Sequence, residues 1–131
     1  TEAGGLEEGS EGFALLPDLN QPAGAFYVTK TACDAFYNTS LEALLREQGI
    51  DEFVICGCAT DYCVDATFKN GVSRGYHITV AEDAHTTANR PAADAQVLIA
   101  HYNDVWRNFI APANPPSVKR TETILENWKA N

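Results

Sequence analysis

The stretch EFVICGCATDYCVDATFKNGVSRGYHITVAEDAHT, residues 52–86, decides how this chain is read. It opens on EFVICG (52–57), a continuous apolar run of the kind a parallel strand shows when both of its faces are covered. A helix is predicted from about Tyr62 to Ser73, because Val64, Phe68 and Val72 recur at helical spacing and Gly75 closes the run. HITVA (77–81) then reads as a second strand. Strand, helix and strand in so short a span form the unit of a parallel sheet joined by crossover helices.

The flanks extend the alternation. AFYVT (25–29) reads as an earlier strand ending at Lys30, and residues 1–24 read as loop, broken by Pro17, Pro22 and five glycines. Thr39 is predicted to begin a helix, with Glu42 three residues on as its capping-box partner and Leu41, Leu44 and Leu45 as its apolar stripe. Gly49 stops it. Pro91 suits the first position of a long helix that buries Val97, Leu98, Tyr102, Val105 and Trp106. After Pro112, Pro115 and Pro116, a last short helix over roughly 121–129 carries Ile124, Leu125 and Trp128. The expected fold class is α/β: a three-layer parallel sheet with helices on both faces.

Composition narrows the function classes. The 131 residues suit one domain, 1–131, with residues 25–131 as the α/β core and C-terminal helix. Eighteen acidic residues against nine basic ones give a net charge of −9, without the basic stripe of a nucleic-acid binder. No apolar run approaches the ~18 residues of a membrane-spanning helix. Cys33, Cys56, Cys58 and Cys63 do not form the loop-rich framework of a disulfide scaffold, so a reduced, cytoplasmic setting is expected. Cys56 and Cys58 read as small core residues. The alternative is zinc on C-x-C-x4-C, but His77 and His85 lie far off and no CxxC pair is present. No metal and no cofactor is therefore expected on these residues. Asn38-Thr39-Ser40 matches a glycosylation pattern, which is idle in the cytosol.

Sites in open α/β sheets form at the carboxyl ends of strands. Lys30, GCATDYC (57–63) and Glu82-Asp83-Ala84-His85 all fall on that rim. Thr60 or Asp61 is a natural N-cap, which would put Cys63 in the first turn of the next helix. Unpaired N–H groups and the helix dipole there favour a thiolate, and a nearby Lys30 would add to the effect. The same N–H groups could hold the oxyanion formed when a thiolate attacks a carbonyl. The bland alternatives stand beside each reading. Cys63 could be a small packed residue, Lys30 a solvated flank, Asp83 a turn or cap rather than an acid, and His85 a loop residue rather than the base of a Cys–His pair. Phe36, Tyr37 and Tyr62 could line a pocket or belong to the core.

The run from Val28 to Thr87, VTKTACDAFYNTSLEALLREQGIDEFVICGCATDYCVDATFKNGVSRGYHITVAEDAHTT, resembles the isochorismatase-like cysteine hydrolases, a family that includes nicotinamidases and related amidases. The resemblance covers roughly residues 10–128. Its most specific part is GCATDYCVDAT (57–67) joined with Lys30 and, six residues later, Phe36. It implies a Rossmann-like fold and a triad of Asp, Lys and Cys, with Cys63 as nucleophile and Lys30 as the triad lysine. It also implies a cis peptide at Cys58–Ala59 that turns the Ala59 N–H toward the site, so that Ala59 and Cys63 form the oxyanion hole. The implied activity is that of an EC 3.5-type amidohydrolase, cleaving a C–N bond of a small amide, lactam or related substrate through a thioester acyl-enzyme. The isochorismatases proper, which cleave a vinyl ether without a cysteine nucleophile, fit less well.

The chain also departs from the family. The triad Asp should close an apolar strand, and no such run is present: Asp18 lies between Pro17 and Leu19, and Asp34 follows Lys30 by four. The chain is accordingly expected to be an N-terminally truncated or processed piece, with its first strands supplied by an upstream segment or by a second chain. The metal-binding Asp and His residues of nicotinamidases would lie upstream as well. Trp128 and the proline-broken tail suggest a homo-oligomer. Two other readings remain: a catalytically silent homologue serving assembly or ligand binding, and a redox or metal-binding protein using Cys56, Cys58 and Cys63.

Overall fold

The structure, a computed structural model, describes residues 5–130. Its centre is a parallel sheet of β1 (Glu52–Cys58), β2 (His77–Thr86) and β3 (Ser117–Lys119), in that spatial order. The helices are α1 (Leu41–Glu47), α2 (Asp65–Ser73), α3 (Ala95–Arg107) and α4 (Thr121–Lys129). A single π-turn, Thr60–Val64, joins β1 to α2.

Side-chain alternation along the strands sorts the layers. Phe53, Ile55, Ile78 and Val80 point to one face, where α2 supplies Phe68 and Val72 and α3 supplies Trp106. Phe68, Val80 and Trp106 are fully buried. Each such side chain contributes about 1.5–3 kcal/mol through removal from water. Strands laid side by side in one direction, with crossovers of one hand, put both connecting helices on the same face. α2 can lie close because Gly71 has no Cβ; one there would sit 2.7 Å from Ile78 Cδ1. Across the other face runs α4, whose Ile124 and Trp128 line a groove with Val54, His77 and Thr79. Asn114 Nδ2 donates to the carbonyls of Val72 and Tyr76, tying the end of α2 to the chain beyond α3.

Several local expectations are corrected. Residues 25–29 form no strand, because no described strand lies beside them to pair with their peptide groups. The third strand is instead Ser117–Lys119, beside β2. Cys56 and Cys58 are exposed rather than core, since among the described residues β1 has a strand neighbour on one side only and their side chains face away from α2. The capping box does not form. α1 starts at Leu41 after Ser40, Thr39 Oγ1 accepts from the Leu41 N–H, and Glu42 pairs with Arg46 and Arg74. Asp94, not the residue before Pro91, is the N-cap of α3. Pro91 sits in a bend closed by paired hydrogen bonds between Arg90 and Ala93. Leu98, Tyr102, Val105 and Trp106 form the inward stripe, while Val97 lies one position off it and is exposed.

β2 has one irregularity that matters for the site. After Ile55 pairs with Val80, Cys56 alone faces four residues, Ala81–Ala84, before pairing resumes at Gly57 and His85. Bulges of this kind re-aim side chains beside functional sites.

Candidate active site

Lys30 and Cys63 are brought together from two separate parts of the chain. Lys30 follows the strandless 25–29 segment, and its Nζ donates to the Ala32 carbonyl at 2.8 Å and to Cys63 Sγ at 3.2 Å. Cys63 lies in the π-turn, half-buried. Such a turn widens the backbone by one residue, and the Ala59 carbonyl accepts from Tyr62 and Val64, on either side of Cys63. The Cys58–Ala59 peptide is cis, the configuration the resemblance implied.

The capping expected of Thr60 or Asp61 is not what holds this turn. Ala59 is its N-cap and supplies no side-chain bond. Asp61 instead accepts from Arg90 Nε and Nη2 and from the Thr87 hydroxyl. The Arg90 hydrogen bond, helped by that of Thr87, holds the Asp61 carboxyl below the usual carboxylate range despite its burial. The Arg90 guanidinium also lies 4.7 Å from the centre of the Tyr62 ring. A charged strut thus joins the turn to the loop after β2. No sequence signal pointed to it, because its partners lie 26 and 29 residues apart.

The residues in and just after the β2 bulge divide their work. Asp83 turns to α4, where its Oδ1 accepts from the N–H and hydroxyl of Thr121, and these bonds hold its carboxyl low. That is the cap role. Glu82 pairs with Arg107. His85 is buried, with its ring nitrogens bonded to Thr60 Oγ1 and Asn103 Oδ1 rather than to Cys63. A Cys–His pair is therefore not the arrangement here. Phe36 is a core residue, stacked on Tyr76 beneath Arg74. Tyr37 and Tyr62 are exposed. The Asp34 carboxylate accepts from the Phe36 N–H and Asn70 Nδ2, a local structural use. Among the described residues, no three His, Cys, Asp or Glu side chains come together as metal ligands. No helix of the described residues is long and apolar enough to cross a membrane.

Comparison with known proteins gives a consistent family signal. The isochorismatase domain profile matches residues 1–124. The chain is 36% identical over 101 residues to the "uncharacterized isochorismatase family protein YddQ" of Bacillus subtilis, covering 76% of this chain and 54% of that protein. It is 37% identical over 87 residues to the ureidoacrylate amidohydrolase RutB of Methylorubrum extorquens, covering 66% of this chain and 35% of that one. The chain thus spans between about a third and a half of these relatives' lengths. The crystal structure of N-carbamoylsarcosine amidase from Thermoplasma acidophilum superposes with a TM-score of 0.69 at 29% identity, over 86% of this chain and 57% of the other.

Proposed function

The chain belongs to the isochorismatase family, and from that premise we propose that it carries the thiol half of an amidohydrolase site for a small substrate. The observation that carries this reading is the 3.2 Å contact between Lys30 Nζ and Cys63 Sγ. An ammonium beside the sulfur stabilises its thiolate, which is the attacking form. In the reaction, sulfur attacks the carbonyl carbon of the C–N bond, and the N–H groups of Ala59 and Cys63 receive the resulting oxyanion. Collapse expels the amine with a proton and leaves a thioester on Cys63. Water then releases the acid and restores the thiol. The similarity to a ureidoacrylate amidohydrolase and an N-carbamoylsarcosine amidase supports an amide or carbamoyl C–N bond as the target. Tyr37 and Tyr62, both exposed, are the aromatic candidates for the pocket wall.

A proton must reach the leaving amine. Among the described residues, Lys30 and Cys63 bond to each other and to the Ala32 carbonyl, with no carboxylate in the set. We place the acid on a strand laid along the free edge of β1, from a longer form of this protein or from a second chain. A reduced, cytoplasmic setting suits the free thiol. The exposed Leu125 and Trp128 of α4 suit contact between copies, which light scattering on the purified protein would register.

The direct test is mass spectrometry of a quenched reaction with small ureido and carboxamide substrates. An acyl adduct is expected on the peptide containing Cys63, together with complete loss of hydrolysis in Cys63→Ala. Hydrolysis that survives Cys63→Ala removes the thiol mechanism. No adduct and no turnover with any such substrate favours the catalytically silent homologue.

A further inference from the structure

The mechanism above leaves one buried titratable side chain unused. His85 is 6% exposed, and it stands directly behind the turn that carries Cys63. Its bonds fix its tautomer. Asn103 Nδ2 donates to the Glu82 carbonyl at 3.1 Å, so Asn103 presents its Oδ1 to the ring. A carbonyl oxygen accepts, so the hydrogen sits on His85 Nε2. In the neutral imidazole Nδ1 is then the acceptor, and the Thr60 hydroxyl donates to it at 2.7 Å. Trp106 packs against the ring edge-to-face, with centroids 5.0 Å apart.

Thr60 is fully buried and occupies the first position of the π-turn. It follows Ala59 directly and precedes Cys63 by three residues. The other end of the turn is held as well, since Trp106 Nε1 donates to Asp65 Oδ1 at 2.9 Å. One ring system on α3 thus supports both ends, through His85 at Thr60 and directly at Asp65.

We propose that His85 is a positioning residue for the oxyanion hole: anchored through Nε2–H to Asn103, it holds Thr60 and thereby aims the Ala59 and Cys63 N–H groups at the substrate oxygen. The inference rests on the thiol-hydrolase reading. Lys30 reaches the sulfur from a different segment, so formation of the thiolate does not depend on this brace. Aim and nucleophile can therefore be separated experimentally. A displaced donor costs acyl transfer, which builds an oxyanion, and leaves alkylation untouched, because displacement at a saturated carbon builds none.

The experiment uses two probes on the intact protein. With 4-nitrophenyl acetate, the thiolate attacks the acetyl carbon and 4-nitrophenolate leaves. With iodoacetamide, sulfur displaces iodide. Thr60→Val keeps the shape and removes the hydroxyl; Thr60→Ser keeps the hydroxyl. Acylation is expected to fall about 10- to 100-fold in Thr60→Val, mainly in kcat rather than KM, and to recover in Thr60→Ser. Alkylation of Cys63 is expected to stay within about two-fold of the parent in both. His85→Phe should follow Thr60→Val if it folds; the Thr60 pair decides the matter if it does not. Equal losses in both reactions, or no loss of acylation in Thr60→Val, overturn the proposal. Parent protein that releases nitrophenolate at the same rate with and without Cys63 overturns the thiol reading instead, a distinguishable result.

Discussion

Residues 52–119 and residues 5–30 both contain many large apolar side chains, yet the structure treats them in opposite ways. In the first region Phe68, Val80 and Trp106 are sealed from solvent. In the second, Leu16 is 68%, Phe26 61% and Tyr27 63% exposed. Hydrophobicity alone does not bury a residue; a complementary surface must arrive from elsewhere in the chain. The 52–119 region makes its own, since each strand is followed by a helix that folds back over it. The 5–30 segment meets the turn that carries Cys63 through a polar contact, Lys30 on the sulfur. One region is placed by packing, and the end of the other is placed on a sulfur.

The strongest way to sharpen that contrast is Trp106→Ala. It removes a fully buried ring and the bond to Asp65, and should cost about 3–5 kcal/mol in chemical denaturation, near the limit of what a small domain survives. A loss under about 1 kcal/mol would show that the packed region is not the source of stability. Lys30→Ala should leave the thermal midpoint nearly unchanged while slowing iodoacetamide alkylation of Cys63 near neutral pH by about ten-fold. An unchanged rate would remove Lys30 from the site. Acid sensitivity probes the charged strut inside the packed region, between the Cys63 turn and the loop after β2. Asp61 titrates below its unfolded value of about 3.9, so its contribution is present above that value and is lost as pH falls through the lower, folded one. Asp61→Asn should therefore flatten the acid limb of stability below about pH 4, read by urea unfolding across pH. The smallest effect belongs to Phe26→Ser. At 61% exposure it should shift stability by less than about 0.5 kcal/mol, and a larger loss would mean that the segment is packed in solution.

Legibility in the sequence followed the range of the interactions. EFVIC, HITVA and the 121–129 helix were readable because apolar runs, helical spacing and glycine stops are local. Residues 25–29 had the composition of a strand, but a strand is a property of pairs, and composition cannot report a missing neighbour. Ser117–Lys119 was too short and too polar to register, although β2 supplies it with a partner. The start of α3 was misread because Pro91 and Asp94 are both good openers, and only the Arg90–Ala93 bend selects the second. At the site, Lys30 and Cys63 stood out by their places at a strand end and a helix start, the family resemblance gave them roles, and the structure puts them in contact. The uses of Thr60, Asp61 and His85 were hidden. Each is a side-chain bond to a residue 25 or more positions away, or, for His85 and Asn103, 18 away, and nothing in a linear pattern marks such a choice.

The four residues of β2 that leave the ladder opposite Cys56 reset which way the strand faces. Val80 and His85 are five positions apart, a separation that strict alternation would send to opposite sides, yet both are buried on the side of Trp106. An unbroken strand would have turned the imidazole of residue 85 outward, away from Thr60. The detour is thus what returns that ring to the interior, behind the turn that carries Cys63.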